Sequence, residues 1–166
     1  MFIIFILVKH GQEDVPYWVK ALKYITVCCF ALTFVTVYLV LIPMTFSFAN
    51  YLTGLKEYGF TGSMLFTHTL APILAMVSFV FFEGDRRLNK KKTIYVGMIP
   101  TYIYGFVFII LNILGIVDGP YPFLRVNYQP WYMSVIWVIA IFLVDYVLAR
   151  MILLENQKHA HRVKRK

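Results

Sequence analysis

LFTHTLAPILAMVSFVFFE, residues 65–83, decides how this chain reads. It is about twenty residues of almost unbroken apolar sequence, the length that crosses the hydrocarbon core of a bilayer as a helix. Near its start it carries His68, flanked by Thr67 and Thr69 and followed four residues later by Pro72. A titratable ring is costly inside a membrane, so an ionisable residue there marks a candidate functional position.

Composition extends that reading to the whole chain. Of 166 residues, 60% are hydrophobic, 18% aromatic and only 14% charged, with a mean hydropathy of +0.71. Soluble domains carry about 25% charged residues, so the deficit points to several spans. The formal net charge of +8 raises nucleic acid as a partner. The basic residues cluster beside apolar runs, however, as cytoplasmic flanks of spans do next to anionic lipid. No RNA-binding signature or basic helical face accompanies them, so no nucleic-acid partner is expected. Cys28 and Cys29 are neighbours inside an apolar run, which disfavours a disulfide between them and gives no metal spacing.

Taken in order, the chain resolves into spans at about 21–44, 63–82, 93–117 and 131–153. The expected fold is all-α: a polytopic transmembrane bundle forming one domain over 1–155, with a basic tail at 156–166. Pro43 closes the first span and Lys23 can snorkel from its start. The third contains Pro100 and a stripe of small residues, Gly97, Thr101 and Gly105, at the four-residue spacing that lets helices approach closely in lipid. Residues 1–8, MFIIFILV, cover only about 12 Å as helix, too short to cross. No cleavage site follows, which disfavours a signal peptide, so they read as one end of a longer helix or as a short interfacial segment.

Charge placement orients the bundle. Arg86, Arg87, Lys90, Lys91 and Lys92 crowd the loop after the second span, and a basic run ends the chain. The loops on the opposite side hold only Lys56 and only Arg125. The positive-inside rule then puts the C-terminus in the cytoplasm, consistent with a bacterial cytoplasmic membrane protein. With residues 9–20 on the same side, the run 1–8 is the inner end of a helix lacking its outer half. The chain therefore reads as the C-terminal part of a larger bundle, whose neighbours would be missing N-terminal helices or a helical partner.

Three polar groups interrupt the spans. With 1.5 Å of rise per residue, His68 and Asn112 lie at similar depth, about 8 Å inside the outer ends of their helices. The loop 118–130, containing Tyr121, closes above them. His68, Asn112 and this loop are expected to line one outward-facing pocket. Structural hydrogen bonding between helices is the competing role for His68, and the favoured one for Asn112. Asp145 lies some 10 Å deeper than His68, too far for a His–Asp dyad; Arg150 or Tyr104 are its nearest candidate partners. No spacing matches a catalytic, phosphate-binding or metal motif, and no cofactor is implied. Thr67 and Thr69 point to other helix faces than His68, which makes them poor nucleophile partners for it.

The order of features resembles a known family. A mid-chain helix with His68 and Pro72, an acidic residue at its end (Glu83) and a later loop reading Tyr121-Pro122-Phe123-Leu124 are similar to the androgen-induced membrane-protein family and its bacterial multi-pass relatives. The resemblance implies about six spans. It also implies an intramembrane hydrolase of lipid esters, with a fatty-acyl substrate, a threonine nucleophile and His68 as the histidine. The nucleophile's helix would precede the first span, where MFIIFILV holds neither Thr nor Ser. The proline after the histidine also comes one residue earlier than in the animal members. Two functions follow as expectations: a hydrolase-like membrane enzyme with His68 as base, or a non-catalytic membrane component, carrier or scaffold subunit.

Overall fold

The structure is a computed structural model that describes residues 16–83, 88, 91–118 and 121–163. All regular secondary structure among the described residues is helical. Helix α1 runs Tyr17–Phe46, a short α2 covers Tyr51–Gly59, α3 spans Gly62–Phe82, α4 Lys91–Ile113 and α5 Trp131–Val163. Among these, α1, α3, α4 and the Trp131–Lys158 part of α5 are long and apolar enough to cross a membrane. The chain is thus an all-α bundle with the character of an integral membrane protein. The run 1–8 lies outside the described residues.

The helices differ from the sequence reading mainly at their ends. α1 starts at Tyr17 because Pro16 serves as its N-cap, its carbonyl accepting from the amides of Val19 (3.1 Å) and Lys20 (3.4 Å). A proline is harmless there, since the first amides of a helix have no intrahelical partner anyway. α5 continues well past the span, because LLENQK contains no breaker and Asn156 is held inside the bundle. The connection 45–62 folds its middle into α2, where Gly54 and Gly59 let that helix lie against the end of α1. A Cβ on Gly54 would approach Phe46 Cδ2 to 2.6 Å, and one on Gly59 would approach the Tyr38 hydroxyl to 2.6 Å.

The prolines inside α1 and α3 are absorbed by turns of π-helix, whereas Pro100 sits within the regular α-helix of α4. Val37–Leu41 precedes Pro43 and Leu65–Leu70 precedes Pro72. A proline removes one donor and its ring crowds the carbonyl four residues back; widening the ladder to i→i−5 relieves that crowding. The Ile42 amide accordingly donates to Val37 O, and the Ala71 amide to Phe66 O. The next carbonyl, that of Tyr38, would face the missing N–H of Pro43. The Tyr51 hydroxyl on α2 donates to it instead, at 3.0 Å.

α1 is the hub of the bundle, packing along α3, α4 and α5, whereas α4 packs on α1 and α5. Tyr24, Val27, Cys28 and Ala31 of α1 are buried in the core with Phe79 of α3, Met98 of α4 and Ala149 of α5. The 65–83 stretch, dominant in the sequence, is one flank of that hub. The outward faces of α3, α4 and α5 carry exposed Phe, Leu, Ile and Val, the surface expected where lipid is the solvent.

The two ends of the bundle are tied differently. At the tail end, where α1 and α4 begin and α3 and α5 end, Lys23 pairs with Glu83 and Ser78 bridges them. There the fully buried Asn156 donates to Phe79 O (2.7 Å) and Glu83 O (3.2 Å). The last carbonyls of a helix have no intrahelical donors, and Asn156 supplies one to α3. The opposite end is closed by α2 and the loop 118–130.

Candidate functional site: a cavity beneath the 118–130 loop

The stripe on α4 divides into two parts with opposite roles. Gly97 permits close packing: a Cβ there would come within 2.8 Å of Tyr24 Cε1 and 3.0 Å of Cys28 Sγ. Two turns on, a Cβ on Gly105 would meet nothing within 4 Å. Pro100, Thr101 and Gly105 face instead into a cavity of about 670 Å³ between α1, α4 and α5. Cys29, Leu32, Thr33 and Thr36 form the α1 wall, and α5 contributes side chains from Trp131 to Phe142. The volume falls within the roughly 300–1,000 Å³ of small-molecule sites. The lining includes Trp131 (76% exposed) and Ile139 (61%), so the cavity is reached from the lateral, apolar face of the bundle.

Its roof is the loop, through Tyr121, Phe123, Leu124 and Val126. Phe123 stacks on Tyr121, with centroids 5.2 Å apart and planes within 5°, and packs against Trp137 of α5. Asn112, only 1% exposed, fixes this roof to α4. Its Oδ1 accepts from the Val126 amide (2.7 Å), its Nδ2 donates to Val117 O (3.1 Å), and its backbone carbonyl accepts from Asn127 Nδ2 (2.7 Å). Asn112 therefore carries the roof and does not itself line the cavity. Gln129 adds a second tie by donating to Phe123 O and to Ser134 Oγ. Burial pushes the Tyr121 phenol up from its ordinary value, so near neutrality it is a protonated hydroxyl able to donate.

Two of the wall hydroxyls, those of Thr33 and Ser134, are engaged. The Thr33 hydroxyl donates to Cys29 O at 2.9 Å, which leaves its methyl available for packing. Asp145 lies behind the floor. It is fully buried, with Thr101 of α4 and Tyr24, Cys28 and Cys29 of α1 around it. Thr101 sits beside the carboxyl without hydrogen-bond geometry, and neither carboxyl oxygen has a partner. Arg150 is exposed and makes no pair with Asp145.

His68 is elsewhere. The π turn before Pro72 sets Thr69, Pro72 and Phe79 on the buried face of α3, with His68 half-buried at its margin. Its Nδ1 is buried without a partner. The adjacent hydroxyls are taken: Thr67 donates to Ser63 O (3.1 Å), and Thr69 lies 2.6 Å from both Gly59 O and the Tyr38 hydroxyl. The loop thus roofs a cavity other than the expected one lined by His68 and Asn112, and of the anticipated site residues Tyr121 alone is in its lining. No family model, curated protein or solved structure matches this chain, so its geometry stands alone. The α1 wall went unseen in the sequence. Its trace there is Cys29, Thr33 and Thr36, small polar residues at i, i+4 and i+7 on one helix face.

Proposed function

We propose that this integral membrane protein takes an apolar guest, such as a lipid acyl chain, from the bilayer into the cavity between α1, α4 and α5. The observation that carries this reading is the roughly 670 Å³ cavity, walled mainly by apolar and aromatic side chains, among them the exposed Trp131, Val135 and Ile139 of α5. Along α5 from Trp131 to Phe142 it is about 16 Å deep at 1.5 Å per residue, enough for a medium-length chain. On this reading the protein is a binding component or carrier, and the aromatic roof fits the interfacial end of its guest.

The test uses the protein in lipid nanodiscs with a photoactivatable fatty acid. Cross-links are expected on the α1, α4 and α5 walls. They should disappear in Gly105→Phe, whose side chain enters open space and so leaves the fold intact by circular dichroism. Cross-links that survive Gly105→Phe, or that map to α3 instead, would overturn the reading.

A second reading, lipid-ester hydrolysis, draws on the buried, unpartnered Nδ1 of His68 and on the resemblance to the androgen-induced family. A general base must reach its proton donor at about 2.6–3.2 Å, and Thr67 and Thr69 are committed elsewhere. The nucleophile would therefore come from another segment. Fluorophosphonate labelling of native membranes that is lost in His68→Ala would favour this reading, and unchanged labelling would remove it. In either case the tail end, rich in Lys and Arg, is proposed to face the cytoplasm. A C-terminal fluorescent or phosphatase reporter distinguishes the two orientations.

A further inference from the structure

Asp145 is the buried group that the cavity reading leaves without a role. It is fully buried, and neither carboxyl oxygen has a hydrogen-bond partner. Around it stand Tyr24, Cys28 and Cys29 from α1 and Thr101 from α4. The Tyr24 hydroxyl is committed to Ala149 O at 2.9 Å, and thiols are weak donors. Lys23 pairs with Glu83 at the tail end, and Arg150 is exposed. A carboxyl in such surroundings is either held neutral by a proton or, when ionised, calls for a counter-charge.

That counter-charge has a route. Thr101 and Cys29, which touch the surroundings of Asp145, are also lining residues of the cavity. Ile141 and Phe142, one turn earlier on α5, form its wall, so the carboxyl stands directly behind the floor. The cavity is also rich in rings: Tyr104, Tyr121, Phe123, Trp131, Trp137 and Phe142. Aromatic faces attract cations, most strongly where water is excluded.

We propose that the guest of this cavity is a lipophilic cation, with its apolar body against the aromatic walls and its single positive charge answered by Asp145. The inference rests on the cavity reading and narrows it to one ligand class. A neutral acyl chain would use the same walls but leave Asp145 unanswered.

The experiment compares binding of tetraphenylphosphonium and neutral triphenylphosphine oxide to the protein in nanodiscs. Asp145→Asn is expected to weaken the cation by about tenfold or more, the scale of one lost contact to a charged group. Asp145→Glu should keep most of its affinity, and the neutral compound should bind all three proteins alike. In the wild type, cation affinity should fall as pH falls, because a proton takes the carboxyl that the cation needs. That dependence should vanish in Asp145→Asn. Equal binding of the cation to wild type and Asp145→Asn overturns the charge inference while leaving the cavity reading standing. Failure of the wild type to bind tetraphenylphosphonium overturns the charge inference, while the fatty-acid cross-linking decides the cavity reading separately. If Asp145→Asn loses both ligands through misfolding, the wild-type pH profile decides, and a flat profile overturns the inference.

Discussion

Replacing Asn112 by alanine should release the roof of the cavity while leaving the bundle beneath it folded. The side chain makes two hydrogen bonds across the loop, from Val126 N to Oδ1 at 2.7 Å and from Nδ2 to Val117 O at 3.1 Å. The third contact, from Asn127 Nδ2, uses the backbone carbonyl and survives the substitution. Removing one partner of a buried hydrogen bond costs about 1–3 kcal/mol, and less where water can replace it. Val117 is 41% exposed, so its carbonyl can be rehydrated, and most of the loss falls on the Val126 amide. The sum is about 2 kcal/mol, confined to the loop. Local opening governs amide exchange, and about 1.4 kcal/mol is a factor of ten. Exchange at Val126 should therefore accelerate roughly 30-fold by hydrogen–deuterium mass spectrometry, with α1 and α4 core amides unchanged. An unaltered Val126 rate would refute the assigned role of Asn112. Faster exchange along the whole of α4 would show that it supports the bundle and not the roof.

Three further outcomes are expected. Gly97→Ala should destabilise the bundle by about 1–3 kcal/mol through overpacking on Tyr24 and Cys28, whereas Gly105→Ala should be neutral or slightly stabilising; equal thermal shifts would contradict the division of the α4 stripe. Lys23 and Glu83 side chains are 12% and 19% exposed, so Lys23→Met or Glu83→Gln alone should cost about 2 kcal/mol, between surface and fully buried pairs. The double variant should cost less than the sum of the two, and strict additivity in denaturation midpoints would rule the coupling out. A small membrane-permeant maleimide should label Cys29, which lines the cavity, and spare the fully buried Cys28; mass spectrometry of the adduct reads this directly, and preferential Cys28 labelling would count against the packing described.

Much of the architecture was legible because membrane spans are written in consecutive residues. Twenty apolar positions in a row need no tertiary information to be read as a span, and each expected segment falls on a transmembrane helix, although α4 ends at Ile113, short of the expected 117. Helix ends were less legible. Pro16 acts as the cap that starts α1 at Tyr17, ahead of the expected 21, and LLENQK stays helical because Asn156 finds the end of α3. The site was harder still. His68 and Asp145 stood out by the cost of a polar group in lipid, yet that cost says only that a group is unusual, not what it faces. The π turns before Pro43 and Pro72 widen the ladder, and next to Pro72 it is Thr69, not His68, that occupies the buried face.

The sequence by itself determined that the chain is helical, polytopic and surrounded by lipid, because hydropathy acts residue by residue and length alone sets what crosses a bilayer. Only the tertiary structure decided where space remains. Gly97 and Gly105 are the same residue on one stripe, and a Cβ would clash at the first and meet nothing at the second. A cavity is the volume several helices fail to fill together, so no single helix encodes it. The same holds for Asn112 and Asp145: one has its hydrogen bonds met by a loop and the other has none, a difference set by neighbours that are distant in the chain.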